Sequence, residues 1–278
     1  DGDSLSIIDF RTIGPVPEAS LKLEAEVLNS IADMMKVRLK LSDLMSLTAG
    51  NTDDKKAYDL YLRGRAELKE YLNVRRLSNA VDFFRQAAMI DSRYTLAYAG
   101  LGEAYWRRYD ATKEIRWVDS AKAFCEQARQ LDSTVSEVCM TVGIVYRGTG
   151  EYALAIHEFN SILTRDSSNA DAYRELGETY RLTEDTARAV QAYKKAINLR
   201  PNDWSGYNAL ARFDYYANRN GEALEMWTNV TKLRPNNGAA YSNIGALYYN
   251  KEKNFSKAKE YFQLAIEKAG GVPENIFF

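Results

Sequence analysis

The chain has 278 residues with 38 acidic and 37 basic side chains, so no overall charge draws it to nucleic acid or to an anionic membrane. Hydrophobic residues make up 46% of the chain and charged residues 27%, which is typical of folded proteins and excludes wholesale disorder. Since no apolar run reaches the length of about 18 residues that spans a bilayer, we expect no direct membrane insertion.

Two elements are predicted before the repetitive part of the chain. Four apolar residues between positions 5 and 10 are strand-like, and Pro15 and Pro17 then break the chain. A lone strand needs a partner, so residues 1–17 are predicted to be an extended segment that ends an upstream domain. This agrees with a chain that begins with Asp1 rather than Met, as a fragment or processed form would. Residues 18–56 predict a helix that caps a repeat array, followed by a linker.

From residue 57 onward, a pattern of about 34 residues recurs. Its apolar residues lie three or four positions apart within each half, which is typical of one face of a helix, so each copy predicts two helices. The second copy contains an insertion at 110–116 that we expect to lengthen a helix or a loop. The predicted copies are 57–94, 95–135, 136–169, 170–203, 204–237 and 238–271, with a tail at 272–278.

Small residues recur at one place in each predicted helix and predict close packing of the two helices. The first helices carry glycine at this place (Gly102, Gly143, Gly177 and Gly245), and the second helices carry alanine (Ala80, Ala121, Ala155, Ala189, Ala223 and Ala258). Aromatic residues between these places are expected to fill the space between layers. Pro201 and Pro235 are predicted to end their second helices, and Gly150 and Gly221 are predicted to lie in turns.

This pattern resembles the tetratricopeptide repeat over residues 57–271. The resemblance implies an all-α fold, a right-handed superhelical solenoid of about six helical hairpins. Residues 23–41, 57–65 and 98–106 are also similar to the C-terminal repeat regions of bacterial serine/threonine protein kinases and related cyclase-like or transcriptional regulators. That similarity implies a regulatory or sensory module that follows an effector domain in a longer protein.

Residues that could support catalysis are sparse. His157 is the single histidine, and no acid or nucleophile lies at a telling distance from it in the sequence. Cys125 and Cys139 are predicted to be buried thiols, with a bond between neighbouring helices as the alternative. We therefore predict a chain that is not an enzyme and that has no cofactor and no metal site.

The resemblance implies a concave groove lined by the first helix of each repeat. Arginine and aromatic residues in it are of the kinds enriched at interface hot spots. Arg147, Arg174, Arg181 and Arg212 are predicted to anchor acidic groups of a bound peptide, the alternative being a solvated face on which arginines pair with carboxylates such as Glu178. The predicted groove residues are Tyr61, Arg65, Trp106, Arg107, Arg147, Arg174, Glu178, Arg181, Asn208, Arg212, Tyr215, Tyr216 and Tyr249.

The predicted function is therefore a protein–protein interaction scaffold whose partner is a protein or peptide with acidic groups. Self-association into a homodimer is the alternative, and a small-molecule receptor is a third class. Nucleic acid is not an expected partner. The cytoplasm is the favoured location, and the extracytoplasmic part of a membrane-tethered parent is the alternative.

Overall fold

A computed structural model describes residues 50, 52–68 and 73–268 of the chain. These residues form helices joined by turns, and no strand is among them. This confirms the all-α class. The extended segment predicted at 1–17, the helix predicted at 18–41 and the tail at 272–278 lie outside the described residues. Within them the helices are α1 (Lys55–Glu67), α2 (Val74–Ile90), α3 (Thr95–Thr112), α4 (Arg116–Leu131), α5 (Ser136–Gly148), α6 (Tyr152–Arg165), α7 (Ala170–Leu182), α8 (Thr186–Leu199), α9 (Trp204–Tyr216), α10 (Asn220–Leu233), α11 (Gly238–Asn250) and α12 (Phe255–Lys268).

The helices form two compact units, unit 1 up to residue 149 and unit 2 from residue 150. In unit 1, α1 packs with α2 and α3 packs with α4, while α5 lies against both α3 and α4. In unit 2, α6 lies against α7, and the pairs α7–α8, α9–α10 and α11–α12 form hairpins. No helix among the described residues is long and apolar enough to cross a membrane.

Side chains placed just before several helices determine where those helices begin. Asp54 accepts hydrogen bonds from the backbone amides of Lys56 and Ala57 at 2.8 and 2.9 Å, and Asn169 accepts one from the amide of Ala172 at 2.9 Å. Such caps satisfy amides that have no partner within the first turn of a helix. The ends agree with prediction, because α8 and α10 each stop two residues before a proline, Pro201 and Pro235.

Several turns between consecutive helices contain a residue in the left-handed region. Gly150, Glu184, Asn218 and Lys253 have φ values of +83°, +59°, +57° and +54°. The prediction that Gly221 lies in a turn is wrong, since it belongs to the first turn of α10 and Asn218 adopts the positive φ instead. Asparagine tolerates this region better than other non-glycine residues do, so the turn does not require glycine.

Glu184 is the residue at which glycine should stabilise the chain. A left-handed φ costs a residue with a Cβ about 1–2 kcal/mol, and glycine loses about 0.5–1 kcal/mol more conformational freedom on folding. Glu184→Gly is therefore expected to raise the free energy of unfolding by about 0.5–1 kcal/mol in urea titrations. The neighbouring Thr183 has φ −93°, so Thr183→Gly should lower stability. Equal effects of the two substitutions would contradict this explanation.

The insertion at 110–116 lengthens a helix. Helix α3 has 18 residues, whereas α5, α7, α9 and α11 each have 13. Lys113, with φ +58°, ends the extended helix, and α4 begins three residues later. Cys125 of α4 and Cys139 of α5 are buried thiols and do not form a disulfide.

Glycines of the first helices leave space that is filled by rings and a thiol of the second helices. The alanines at the repeated place of the second helices are almost completely buried, as predicted. The predicted reason for the glycines needs correction, because their nearest neighbours are side chains rather than helix backbones. A Cβ atom would lie 2.6 Å from the ring of Phe84 at Gly64, 2.6 Å from Sγ of Cys125 at Gly102, 2.7 Å from the ring of Tyr193 at Gly177 and 2.8 Å from the ring of Phe262 at Gly245.

Candidate functional site

Unit 2 contains a groove of about 1000 Å³, here called the C-terminal groove, between helices α9, α10, α11 and α12. Helix α9 contributes Arg212, Tyr215 and Tyr216 at the spacing of one helix face. Four predicted groove residues, these three and Tyr249 of α11, are thus brought together. The groove is also lined by Trp227, Phe255, Lys259, Phe262 and Ile266.

Three aromatic side chains of the C-terminal groove are exposed. Tyr216, Tyr249 and Phe255 are 66%, 51% and 60% exposed. Their orientation comes from contacts between rings: the ring of Tyr215 lies 5.4 Å from Tyr216 and 5.7 Å from Trp227, and Tyr249 lies 5.4 Å from Phe255. Contiguous exposed apolar surface on a folded protein is typical of interaction sites.

The charged residues that line the C-terminal groove, Arg212 and Lys259, are both cations. Both side chains are exposed, and no ion pair joins either of them to a carboxylate within the part of the chain that the structure describes. The groove therefore combines aromatic surface with positive charge. A ligand with a carboxylate would neutralise that charge and form charge-assisted hydrogen bonds to the guanidinium group.

Other predicted groove residues of unit 2 already have partners within the chain. Arg174 forms ion pairs with Asp171 at 3.4 Å and with Glu175 at 2.8 Å. Arg181 pairs with Glu178 at 2.7 Å, and this hydrogen bond raises the pKa of Arg181.

Glu178 and Asn208 also support the hydrophobic core. Glu178 accepts a hydrogen bond from the hydroxyl of Tyr193 at 2.8 Å. The pKa of Tyr193 is raised, mainly because the side chain is buried and also because the carboxylate of Glu178 lies beside its hydroxyl. The Oδ1 atom of Asn208 accepts a hydrogen bond from Nε1 of Trp227 at 3.2 Å. Both side chains thus position a buried ring of a second helix.

The predicted groove residues of unit 1 form a separate set. Glu103 accepts hydrogen bonds from Arg65 at 2.6 Å and from Arg107 at 2.5 Å. Tyr61 is half-buried against the ring of Phe84, and Trp106 lies directly against Gly148. Arg147 is half-buried at the end of α5. Arg65 and Arg107 are thus both paired with Glu103 within unit 1.

Sequence reasoning missed the contribution of α12. The resemblance assigned the groove to first helices, whereas Phe255, Lys259 and Ile266 come from a second helix. The available signal was the apolar spacing of Ala258, Phe262 and Ile266 along the predicted second helix. Ile266 corresponds by spacing to Ile197 of α8, which is only half-exposed.

Comparisons with known proteins agree with this architecture. Residues 143–204 and 208–273 match the model of the tetratricopeptide repeat family. Similar solved structures include the APC/C hetero-tetramer Cut9–Hcn1, with 14% identity, a TM-score of 0.59 and coverage of 91% of this chain and 51% of that chain. Another is Pseudomonas aeruginosa pilF, with 22% identity, a TM-score of 0.52 and coverage of 65% and 78%.

YrrB, described as a TPR protein with an unusual peptide-binding site, has 24% identity, a TM-score of 0.42 and coverage of 67% and 92%. A search of curated proteins finds no significant match. The consecutive pairs of helices are those of a helical-repeat protein. The family match then supports the tetratricopeptide repeat family, whose members are generally protein-interaction scaffolds.

Proposed function

We propose that this chain is a non-catalytic interaction scaffold whose C-terminal groove binds a peptide or protein segment with apolar side chains beside acidic groups. The observation that carries this proposal is the environment of Arg212. Arg212 is exposed and lines the groove together with Tyr215, Tyr216 and Tyr249, and no carboxylate is among the lining residues. Arginine and tyrosine in this combination are enriched among residues that dominate binding energy.

The four arginines first proposed as anchors differ in their availability. A ligand carboxylate would have to compete with Asp171 and Glu175 for Arg174, and with Glu178 for Arg181. At Arg212 it would meet no such competitor. We therefore assign the anchoring role to Arg212, and we assign Arg174 and Arg181 to the structure of unit 2.

The binding role of Arg212 can be tested with a fluorescein-labelled peptide rich in Phe, Leu and Glu. Arg212→Ala is expected to weaken its binding about tenfold, because a charge-assisted hydrogen bond contributes on the order of 1.5–3 kcal/mol. Arg174→Ala serves as the matched control and should leave the affinity nearly unchanged. Fluorescence anisotropy measures both.

Replacing Glu by Gln in the same peptide tests whether charge is the cause. The substitution should weaken binding to the unmodified chain but have little effect on Arg212→Ala. Equal affinity of the unmodified chain and Arg212→Ala for the acidic peptide would contradict the proposal.

The cellular role that we propose is a regulatory or sensory module of a larger bacterial signalling protein. It is supported by the similarity of residues 57–65 and 98–106, on α1 and α3, to repeat regions that follow kinase and other effector domains. Comparing the activity of a full-length parent with and without these repeats tests this role, and unchanged regulation would contradict it.

Self-association is a second candidate, favoured by the exposure of Tyr216, Tyr249 and Phe255. Two copies could bury these rings against each other. Light scattering at increasing concentration tests this candidate. A monomer at all concentrations would exclude it.

A further inference from the structure

The packing of second helices on the first helices that follow them provides an internal template. In unit 2, α8 packs against α9, and α10 packs against α11. A Cβ atom at Gly206 would lie 3.0 Å from Ile197, and the ring of Phe213 lies 5.8 Å from that of Tyr193. Leu210, between Gly206 and Phe213, is buried in the same cluster. The following helix thus presents a small residue and then apolar residues four and seven positions later.

The next such contact in unit 2 repeats this arrangement. Helix α11 buries Ala240, Ile244 and Leu247, which have the same spacing. The receiving helix α10 presents Ala223 and Trp227, both buried in that cluster. The template therefore defines both the receiving surface and the stripe that covers it.

Helix α12 has the same receiving surface as α8 and α10. Ala258, Phe262 and Ile266 have the spacing of Ala189, Tyr193 and Ile197 on α8. Tyr193 is completely buried, whereas Phe262 is only half-buried and Ile266 is exposed. Over the described residues, no helix follows α12. Side chains with the same spacing are thus more exposed on α12 than on α8.

Helix α1 is a first helix with polar residues at the equivalent places. At the places equivalent to Gly206 and Leu210 it carries Asp59 and Arg63, which are exposed and form an ion pair at 2.9 Å. No second helix precedes α1 within the described residues, and its outward face is polar. The places of a first helix that meet a preceding second helix are therefore apolar on α9 and polar on α1.

We propose that the outer face of α12 is a docking site for one amphipathic α-helix of a partner protein. This inference rests on the proposed function and specifies the occupant of the C-terminal groove. The partner helix carries a small residue followed by apolar residues at four and seven positions, as α9 and α11 do. Arg212 and Lys259 lie in the same groove without a carboxylate among its lining residues, so acidic side chains flank that stripe.

The experiment uses two synthetic probes with the full chain. The first is a helix held by a side-chain staple, with Ala, Leu and Phe at the template spacing and Glu on one flank. The second has the same residues, no staple and a central proline, which prevents helix formation. Fluorescence anisotropy is expected to show micromolar binding of the stapled probe and much weaker binding of the proline probe.

Ile266→Glu tests the position of the bound helix. It should weaken binding of the stapled probe about tenfold or more. The probe would bury Ile266 in the complex, and the substitution would place an unpaired charge there instead. Leu154→Glu, on α6 outside the C-terminal groove, is the matched control and should leave binding unchanged, since both side chains have similar exposure. Circular dichroism of both variants verifies that they remain folded.

The alternative outcomes separate the two proposals. Equal binding of both probes, lost in Arg212→Ala but not in Ile266→Glu, would overturn the docked helix and leave the proposed function intact. If the stapled probe binds only after residues 269–278 are deleted, those residues of the chain itself occupy the outer face of α12. If the chain forms a dimer that Ile266→Glu dissociates, a second copy occupies that face. Both proposals would be overturned if neither probe binds the full chain or the chain lacking residues 269–278, and if no dimer forms.

Discussion

Phe84→Ala is expected to lower the free energy of unfolding of unit 1 by about 3–5 kcal/mol, the range for removing a buried phenylalanine ring. The side chain of Phe84, on α2, is completely buried. A Cβ atom at Gly64 of α1 would lie 2.6 Å from this ring, and one at Gly100 of α3 would lie 2.7 Å from it. One ring thus fills the space that two glycines leave on two other helices, and its loss would open a cavity among three helices.

Urea unfolding followed by circular dichroism measures this effect. Phe255→Ala is the matched control, because Phe255 is an exposed phenylalanine of α12 and its removal opens no cavity. The control should change the free energy of unfolding by less than about 1 kcal/mol. If the two substitutions cost the same, the glycine-bounded position of Phe84 would not be the source of stability.

Gly177→Leu is expected to cost about 1–3 kcal/mol through overpacking. A Cβ atom at Gly177 would lie 2.7 Å from the ring of Tyr193, closer than real Cβ contacts. That ring has little room to move, because it is completely buried and its hydroxyl donates a hydrogen bond to Glu178. The substitution must therefore break this hydrogen bond or separate α7 from α8.

Gly221 offers the control for Gly177. It also lies within a helix, but apart from its chain neighbours and the backbone of its own helix, no atom would lie within 4 Å of an added Cβ. Gly221→Leu should raise stability by up to about 1 kcal/mol, because leucine has a higher helix propensity than glycine. Opposite signs for the two substitutions, measured by thermal or urea unfolding, are the expected result. A tolerated Gly177→Leu would contradict the assigned contact.

The recurrence of small residues was visible in the sequence, but its cause was not. A glycine column indicates only that something approaches closely at each position. The structure identifies that neighbour as a ring at Gly64, Gly177 and Gly245 and as the thiol of Cys125 at Gly102. Which of two packed surfaces fills a gap depends on side-chain rotamers and helix separation, and a periodic pattern contains neither.

The candidate groove was predictable in part. The periodicity and the resemblance placed Arg212, Tyr215, Tyr216 and Tyr249 on first helices, and the structure brings these four together. The sequence alone could not distinguish Arg212 from Arg174, because both are arginines on the predicted groove face of a first helix. The difference arises from neighbouring carboxylates: Asp171 and Glu175 lie within reach of Arg174, whereas no carboxylate pairs with Arg212 within the described ranges.

The sequence by itself determined the helical class, the pairing of helices and most of their ends, because periodicity, caps and prolines act over a few residues or along one helix. Only the tertiary structure decided which cations keep an available charge and which apolar face is left uncovered. Those properties depend on distances between side chains far apart in the sequence. Ile266 is exposed and Ile197 is half-buried, although each follows an alanine and an aromatic residue at the same spacing.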